Sequence, residues 1–233
     1  MNKKNKIFLI ISYILLGVLF FLNICASVYI MTGNDTGRIF ESNILKVVEI
    51  KASDDELVWG YATGAFISND GRILTNKHVV FNSSTNNNYE FIKVRLATYD
   101  EWIDAEILKV SVDYDLATIK INLSKTSYYN INTNVRNGET IYTIGNPSGF
   151  GLSFVSGVIS SNLRIVSYNE VNIEVIQTSL VINEGNSGGP VFNKNGDLLG
   201  IISFRLKDKN NDVIQGVSFA VPASIIIEFL SKE

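Results

Sequence analysis

The hexapeptide Gly185-Asn186-Ser187-Gly188-Gly189-Pro190 sets one serine among glycines, which can take sharp backbone angles. A turn of this kind leaves the hydroxyl exposed and aims backbone N–H groups at one point, as a nucleophile and an oxyanion hole require. A glycine-rich hairpin turn reads the same way in isolation. The string also satisfies G-x-S-x-G, the nucleophile elbow of α/β-hydrolases, in which the histidine follows the serine. Here the only histidine, His78, lies far upstream of Ser187, so chain order excludes that fold. A subtilisin-like order needs an aspartate before His78. Asp35, Asp54, Asp55 and Asp70 qualify by position, but that fold alternates strands with helices and this sequence does not.

Outward from the hexapeptide, the pattern is one of short apolar runs broken by turns. Ala62 to Ile67, Ile73 to Thr75, Phe91 to Ala97, Ala105 to Val110 and Leu116 to Ile121 are strand-length and mostly rich in Val, Ile, Thr or aromatics. The same holds for Thr140 to Ile144, Val155 to Ile159, Val171 to Thr178, Val191 to Phe192, Leu198 to Phe204 and Gly216 to Val221. Such spacing predicts an all-β sandwich or barrel pair. Asn69-Asp70-Gly71 and Asn195-Gly196-Asp197 read as hairpin turns, and Asn82 to Asn88 as a polar loop. Only the tail after Pro222, with Ile225, Ile226, Phe229 and Leu230, has helical periodicity.

A serine nucleophile needs a base that titrates near neutrality, and His78 is the single candidate. It stands in Thr75-Asn76-Lys77-His78-Val79-Val80, at the end of a strand-like run. Alone, such a histidine reads as a structural residue; with Ser187 it reads as the base. Asp115 opens the run Asp115-Leu116-Ala117, where a carboxylate can be held beside an imidazole. Asp113 is its rival, and composition does not separate the two.

Composition narrows the rest. Among 233 residues, 20 are basic and 23 acidic, giving a net charge of −3 and no electrostatic footprint for nucleic acid. Apolar residues make up 46%, enough for a substantial core. The one cysteine, Cys25, lies in the apolar leader, so the remainder has no internal disulfide, and one cysteine with one histidine leaves no usual zinc ligand set. Asp208-Lys209-Asn210-Asn211-Asp212 resembles a calcium loop, but Val213 and Phe219 stand where the loop glycine and closing glutamate belong, so it reads as a polar turn. No metal and no cofactor are expected.

Ile7 to Met31 carries no charge and is long enough as a helix to cross a bilayer. Lys3, Lys4 and Lys6 precede it, while the first charges beyond are Asp35 and Arg38, which keeps the N-terminus cytoplasmic. The expected organisation is a cytoplasmic segment 1–6, an anchor 7–31, a linker 32–43 and a folded domain 44–233 divided near 130. A cleaved signal peptide is the alternative, although Ile24-Cys25-Ala26 is a poor small-x-small site.

Thr75-Asn76-Lys77-His78-Val79-Val80, Asp115-Leu116-Ala117, Ile144-Gly145-Asn146-Pro147 and Gly185-Asn186-Ser187-Gly188-Gly189-Pro190, in that order, resemble the HtrA/Deg branch of chymotrypsin-fold serine proteases. The resemblance runs from about Ile44 to Leu230. It implies two six-stranded antiparallel β-barrels with a short C-terminal helix, His78 and Asp115 coming from the first barrel and Ser187 from the second. It implies a serine endopeptidase acting on unfolded or exposed polypeptide in extracytoplasmic quality control or processing, and suggests a homotrimer. A silent, membrane-anchored peptide-binding protein on the same fold is the alternative.

In this reading the N–H groups of Gly185 and Ser187, with help from Asn186, bind the oxyanion. The resemblance places the substrate pocket between the segment before the serine and Ile201-Ile202-Ser203-Phe204, with Ile182 on its wall. Val181 stands six residues before Ser187, where trypsin carries the aspartate behind its Lys and Arg preference, so the pocket is expected to be apolar and shallow and to take small or medium aliphatic residues such as Val, Ala or Ile. Arg205 departs from this, because a guanidinium at that strand end favours an acidic residue. Two departures from relatives stand out: the residues after Pro222 are too few to fold the usual PDZ domain, and Asn186 replaces the aspartate used in zymogen activation.

Overall fold

A computed structural model describes residues 2–32, 35–168, 171–207, 209–210 and 212–232, in two compact units, Met1–Phe40 and Glu41–Glu233. In the first, α1 (Lys3–Thr32) contains a candidate membrane span, Lys3–Ser27, none of which is buried against protein. Two of its polar side chains bond within the helix: Ser12 Oγ donates to Phe8 O at 2.9 Å and Asn23 Nδ2 to Leu19 O at 2.9 Å. In hydrocarbon no water is present to do this, so such back-bonding suits a lipid-facing helix. A second helix, α2 (Asp35–Asn43), occupies most of the segment read as a linker, whose Gly33 and Asn34 lie outside the described residues.

The second unit begins with β1 (Val47–Ser53), β2 (Gly60–Phe66) and β3 (Arg72–Thr75), followed by a single helical turn, α3 (Lys77–Val80). Then come β4 (Phe91–Leu96), a bent strand β5 (Ile103–Asp104 and Glu106–Val110) and β6 (Ala117–Lys120). They pair antiparallel in the order β4-β1-β2-β3-β6-β5. The bend at Ala105 closes the barrel: beyond it β5 pairs with β6, before it Asp104 lies opposite Lys93 of β4, and the Ala105 N–H donates to Ile92 O at 2.9 Å. Six strands therefore form a ring with no long open edge. Inward-facing Val48, Ile50, Phe66, Ile73, Val94 and Ile119 fill it, each contributing about 1.5–3 kcal/mol by burial.

The second barrel uses β7 (Thr140–Gly145), β8 (Ser153–Tyr168), β9 (Val171–Thr178), β10 (Pro190–Asn193), β11 (Asp197–Lys207) and β12 (Val213–Pro222). They pair as β11-β10-β7-β8-β9-β12, and β12 returns to β11 to close the ring. Gly196 makes the tight β10–β11 turn at φ +78°, a conformation few side-chain-bearing residues accept. One pairing is parallel, Asn130–Ile131 against Asp197 and Leu198, where the interbarrel chain enters the second barrel near the expected boundary.

The hairpin of β8 and β9 runs much further than its apolar cores suggested, with register shifts around Ser161 and Arg164. Lys209 and Asn210 form a turn as expected, while Asp208 and Asn211 of that segment lie outside the described residues. After the last strand, α4 (Ala223–Ser231) reaches back to the first barrel. Lys109 Nζ, on β5, donates to Phe229 O at 2.7 Å, and the Tyr114 hydroxyl to Glu228 Oε2 at 3.0 Å.

Candidate active site

His78 sits in α3 rather than at a strand end, because Asn76 takes extended geometry and the chain turns directly after it. Its ring nitrogen Nδ1 lies 3.0 and 2.9 Å from the two carboxylate oxygens of Asp115. An ionised carboxylate only accepts, so Nδ1 carries the proton and Nε2 keeps its lone pair. The His78 N–H adds a bond to Asp115 Oδ1 at 3.2 Å, and Asn76 Nδ2 fixes the backbone by donating to Asp115 O at 2.9 Å. Asp113 is exposed and, among the described residues, makes no bond to His78. Of the two carboxylates that composition left open, Asp115 is the one on the imidazole.

Electrostatics follow from this pairing. Burial pulls the His78 pKa down, but the hydrogen bond and charge of Asp115 together outweigh it, leaving the imidazole above its ordinary 6.5. For Asp115, burial pushes the pKa up, yet the bonds and charge of His78 and the Ser203 hydroxyl hold it below the usual carboxylate value. Each group thus stabilises the ionised form of the other.

Ser187 comes from the loop between β9 and β10, held against the first barrel by Thr63 of β2. Thr63 N–H donates to Ser187 O at 2.9 Å, its Oγ1 donates to Gly185 O at 2.7 Å, and Asn146 N–H donates to that same Oγ1 at 2.9 Å. Gly185 adopts φ +93°, and a Cβ there would collide with the Asn146 carbonyl oxygen. Among the described residues the N–H groups of Gly185 and Ser187 donate to no protein acceptor. The Asn186 N–H differs: it donates to Asn183 O at 3.1 Å, and the residue is 4% exposed, so the turn uses the very group expected to help with the oxyanion.

The Ser187 hydroxyl donates to the carbonyl oxygen of Ser203 at 3.4 Å, and no bond joins it to His78 among the described residues. The Ser203 hydroxyl, in turn, donates to Asp115 Oδ2 at 2.5 Å. Ser203, read from sequence as a pocket residue, therefore also bonds the carboxylate from the opposite barrel. The one signal for this was a lone hydroxyl in the apolar run Ile201-Ile202-Ser203-Phe204. Thr63 was missed altogether, since a threonine in a strand carries no motif.

Beside Ser187 opens a cavity of about 420 Å³, lined by the four expected residues, Ile182, Ser203, Phe204 and Arg205. Val166 and Ser167, from the long β8 strand, add a wall the sequence did not announce. Among the described residues no cluster of His, Cys, Asp and Glu side chains suited to a metal ion occurs.

The trypsin-like peptidase domain family matches residues 62–201. The serine endoprotease DegS of Haemophilus influenzae is 32% identical over 188 residues, covering 78% of this chain and 53% of that protein. A probable periplasmic serine endoprotease, DegP-like, of Pseudomonas fulva is 35% identical over 170 residues, covering 71% of this chain and 33% of its own length. The chain thus spans about half or less of these relatives. Among solved structures, the HtrA-type protease AlgW with a tripeptide superposes with a TM-score of 0.72 at 26% identity, covering 84% of this chain and 62% of that one.

Proposed function

Because the chain belongs to the trypsin-like peptidase family, we propose that it is an HtrA-type serine endopeptidase in which Ser187 is the nucleophile, His78 the general base and Asp115 the group that orients and charges the base. What carries the reading is the run of hydrogen bonds from Ser187 through Ser203 and Asp115 to His78, which holds all three residue types in one neighbourhood across two barrels.

To react, the Ser187 hydroxyl must leave the Ser203 carbonyl for His78 Nε2. Resting sites commonly tighten such bonds only with substrate in place. Nε2 takes the proton as Oγ attacks the peptide carbonyl carbon. The tetrahedral oxyanion then falls to the free N–H groups of Gly185 and Ser187, each worth about 3–4 kcal/mol in comparable sites. His78 returns the proton to the departing amine, and water repeats the sequence on the acyl-enzyme. The substrate class is unfolded or exposed polypeptide, cleaved in extracytoplasmic quality control or processing, and a homotrimer is the assembly the HtrA likeness suggests.

α1 acts as a signal anchor, leaving the lysines cytoplasmic and the barrels outside the membrane. Sequencing the mature N-terminus checks this: a start near Ser27 would make α1 a cleaved signal peptide.

A second reading, an anchored peptide-binding protein whose serine is never activated, draws on the Ser187 hydroxyl resting on Ser203. A fluorophosphonate probe separates the two, since only an activated serine reacts. The full chain in detergent is expected to label at Ser187 and to cut casein, with Ser187→Ala losing label and about 10⁶ of the rate. An unlabelled wild-type protein would favour the binding reading.

A further inference from the structure

The cavity beside Ser187 holds a charge that an aliphatic pocket does not call for. The side chain of Arg205 is only 20% exposed, set near Ile182, Phe204 and Phe219. A guanidinium has five N–H donors in a planar fork. Among the described residues this one makes a single long hydrogen bond, Nη1 to Ile182 O at 3.4 Å, and one loose ion pair, Nη2 to Glu184 Oε1 at 3.8 Å.

The Glu184 carboxylate is a weakly held partner. Its side chain is 91% exposed, and ion pairs with so exposed a member contribute little. Its backbone, by contrast, is pinned, since its carbonyl accepts the Ser148 N–H at 2.7 Å. The side chain can therefore swing away while the loop beside Ser187 stays in place. Arg205 and Glu184 are the only cation and anion among the described residues lining the cavity.

We infer that the cavity selects substrates with Asp or Glu immediately before the scissile bond, the substrate carboxylate pairing with Arg205 and displacing Glu184. This rests on the serine endopeptidase reading. A neutral aliphatic side chain in the same cavity would shield the guanidinium from water while offering it no acceptor, which is costly for a charged group. A carboxylate offers two oxygens to the fork, in the bidentate geometry arginine favours. The aliphatic preference expected from Val181 and Ile182 therefore gives way to Arg205.

The test uses the full-length Ser187→Ala chain in detergent micelles and three fluorescent peptide amides, identical except for Glu, Gln or Val at one central position. Fluorescence anisotropy is expected to show the Glu peptide binding about 10- to 100-fold more tightly than the other two. Adding Arg205→Gln should bring the three to parity, and adding Glu184→Gln should tighten the Glu peptide by roughly 2- to 5-fold. Equal or undetectable binding of all three, or discrimination that survives Arg205→Gln, overturns the inference. The protease reading fails separately: a Glu-selective cleft in a wild-type chain that never takes the fluorophosphonate is a binding site, whereas a labelled enzyme that cuts casein mainly after aliphatic residues is a protease without this specificity.

Discussion

The two barrels bring their shares of the site to different degrees of completion. On the first, His78 is bonded to both Asp115 oxygens, and Asp115 also receives the His78 N–H and the Ser203 hydroxyl. On the second, the N–H groups of Gly185 and Ser187 meet no protein acceptor among the described residues, and Arg205 makes one long bond. The difference follows from when each charge exists. Asp115, its pKa held below the usual carboxylate value, carries its charge before and throughout the reaction and needs partners in the resting site, whereas the oxyanion exists only during reaction. Donors already committed to the protein would have to be freed before they could bind it.

Among changes that leave the nucleophile in place, removing the charge from the saturated half should do the most damage. Asp115→Asn is expected to lower the rate of casein hydrolysis by about 10⁴ through the wrong imidazole tautomer. Asp113→Asn should be close to wild type, and the opposite ranking would move the orienting role to Asp113. Emptying the open half should cost less: Gly185→Ala forces the loop off Asn146 and is expected to lose about 10² to 10³ in kcat, the loss seen when one oxyanion donor is removed. An unchanged kcat would mean that the Gly185 N–H plays no part.

The smallest effect is in pH dependence, and it sharpens the comparison. His78 must be neutral to accept the Ser187 proton, and Asp115 raises its pKa above 6.5, so kcat/KM should fall as pH drops through a value above 6.5. In Asp115→Asn the residual activity should lose its acid limb at a lower pH, because the charge that favoured the imidazolium is gone. A limb at the same pH in both proteins would assign it to another group.

Much of this was legible in sequence because strands of a closed barrel write their burial directly into the chain. Ile73 to Thr75 or Leu116 to Ile121 are largely apolar runs because side chains on both faces of each strand are buried, and the order His78, Asp115, Ser187 separates this fold from other serine hydrolases. The extension of β8 through Ser160, Ser161 and Asn162 was not legible. Those three polar residues interrupt the apolar pattern, and beyond them Leu163 and Ile165 are exposed, so the pairing is held by backbone bonds that composition does not record. The helix Asp35–Asn43 was masked by the low helical propensity of Thr36 and Gly37. Ser203 and Thr63 were invisible for another reason: their contacts join barrels far apart in sequence, and a hydroxyl in a strand says nothing about what lies opposite it.

The contacts of α4 with Lys109 and Tyr114 bear on how the protein is made. Both barrels are complete in sequence by Pro222, but the helix that ties the end of the second to the first follows every strand. Synthesis runs from the N-terminus, and folding units form as they emerge. A nascent chain therefore has its base, its nucleophile and the Thr63 and Ser203 bonds between their barrels before it has the tie that α4 adds, so this last brace across the barrels forms only after every strand has been made.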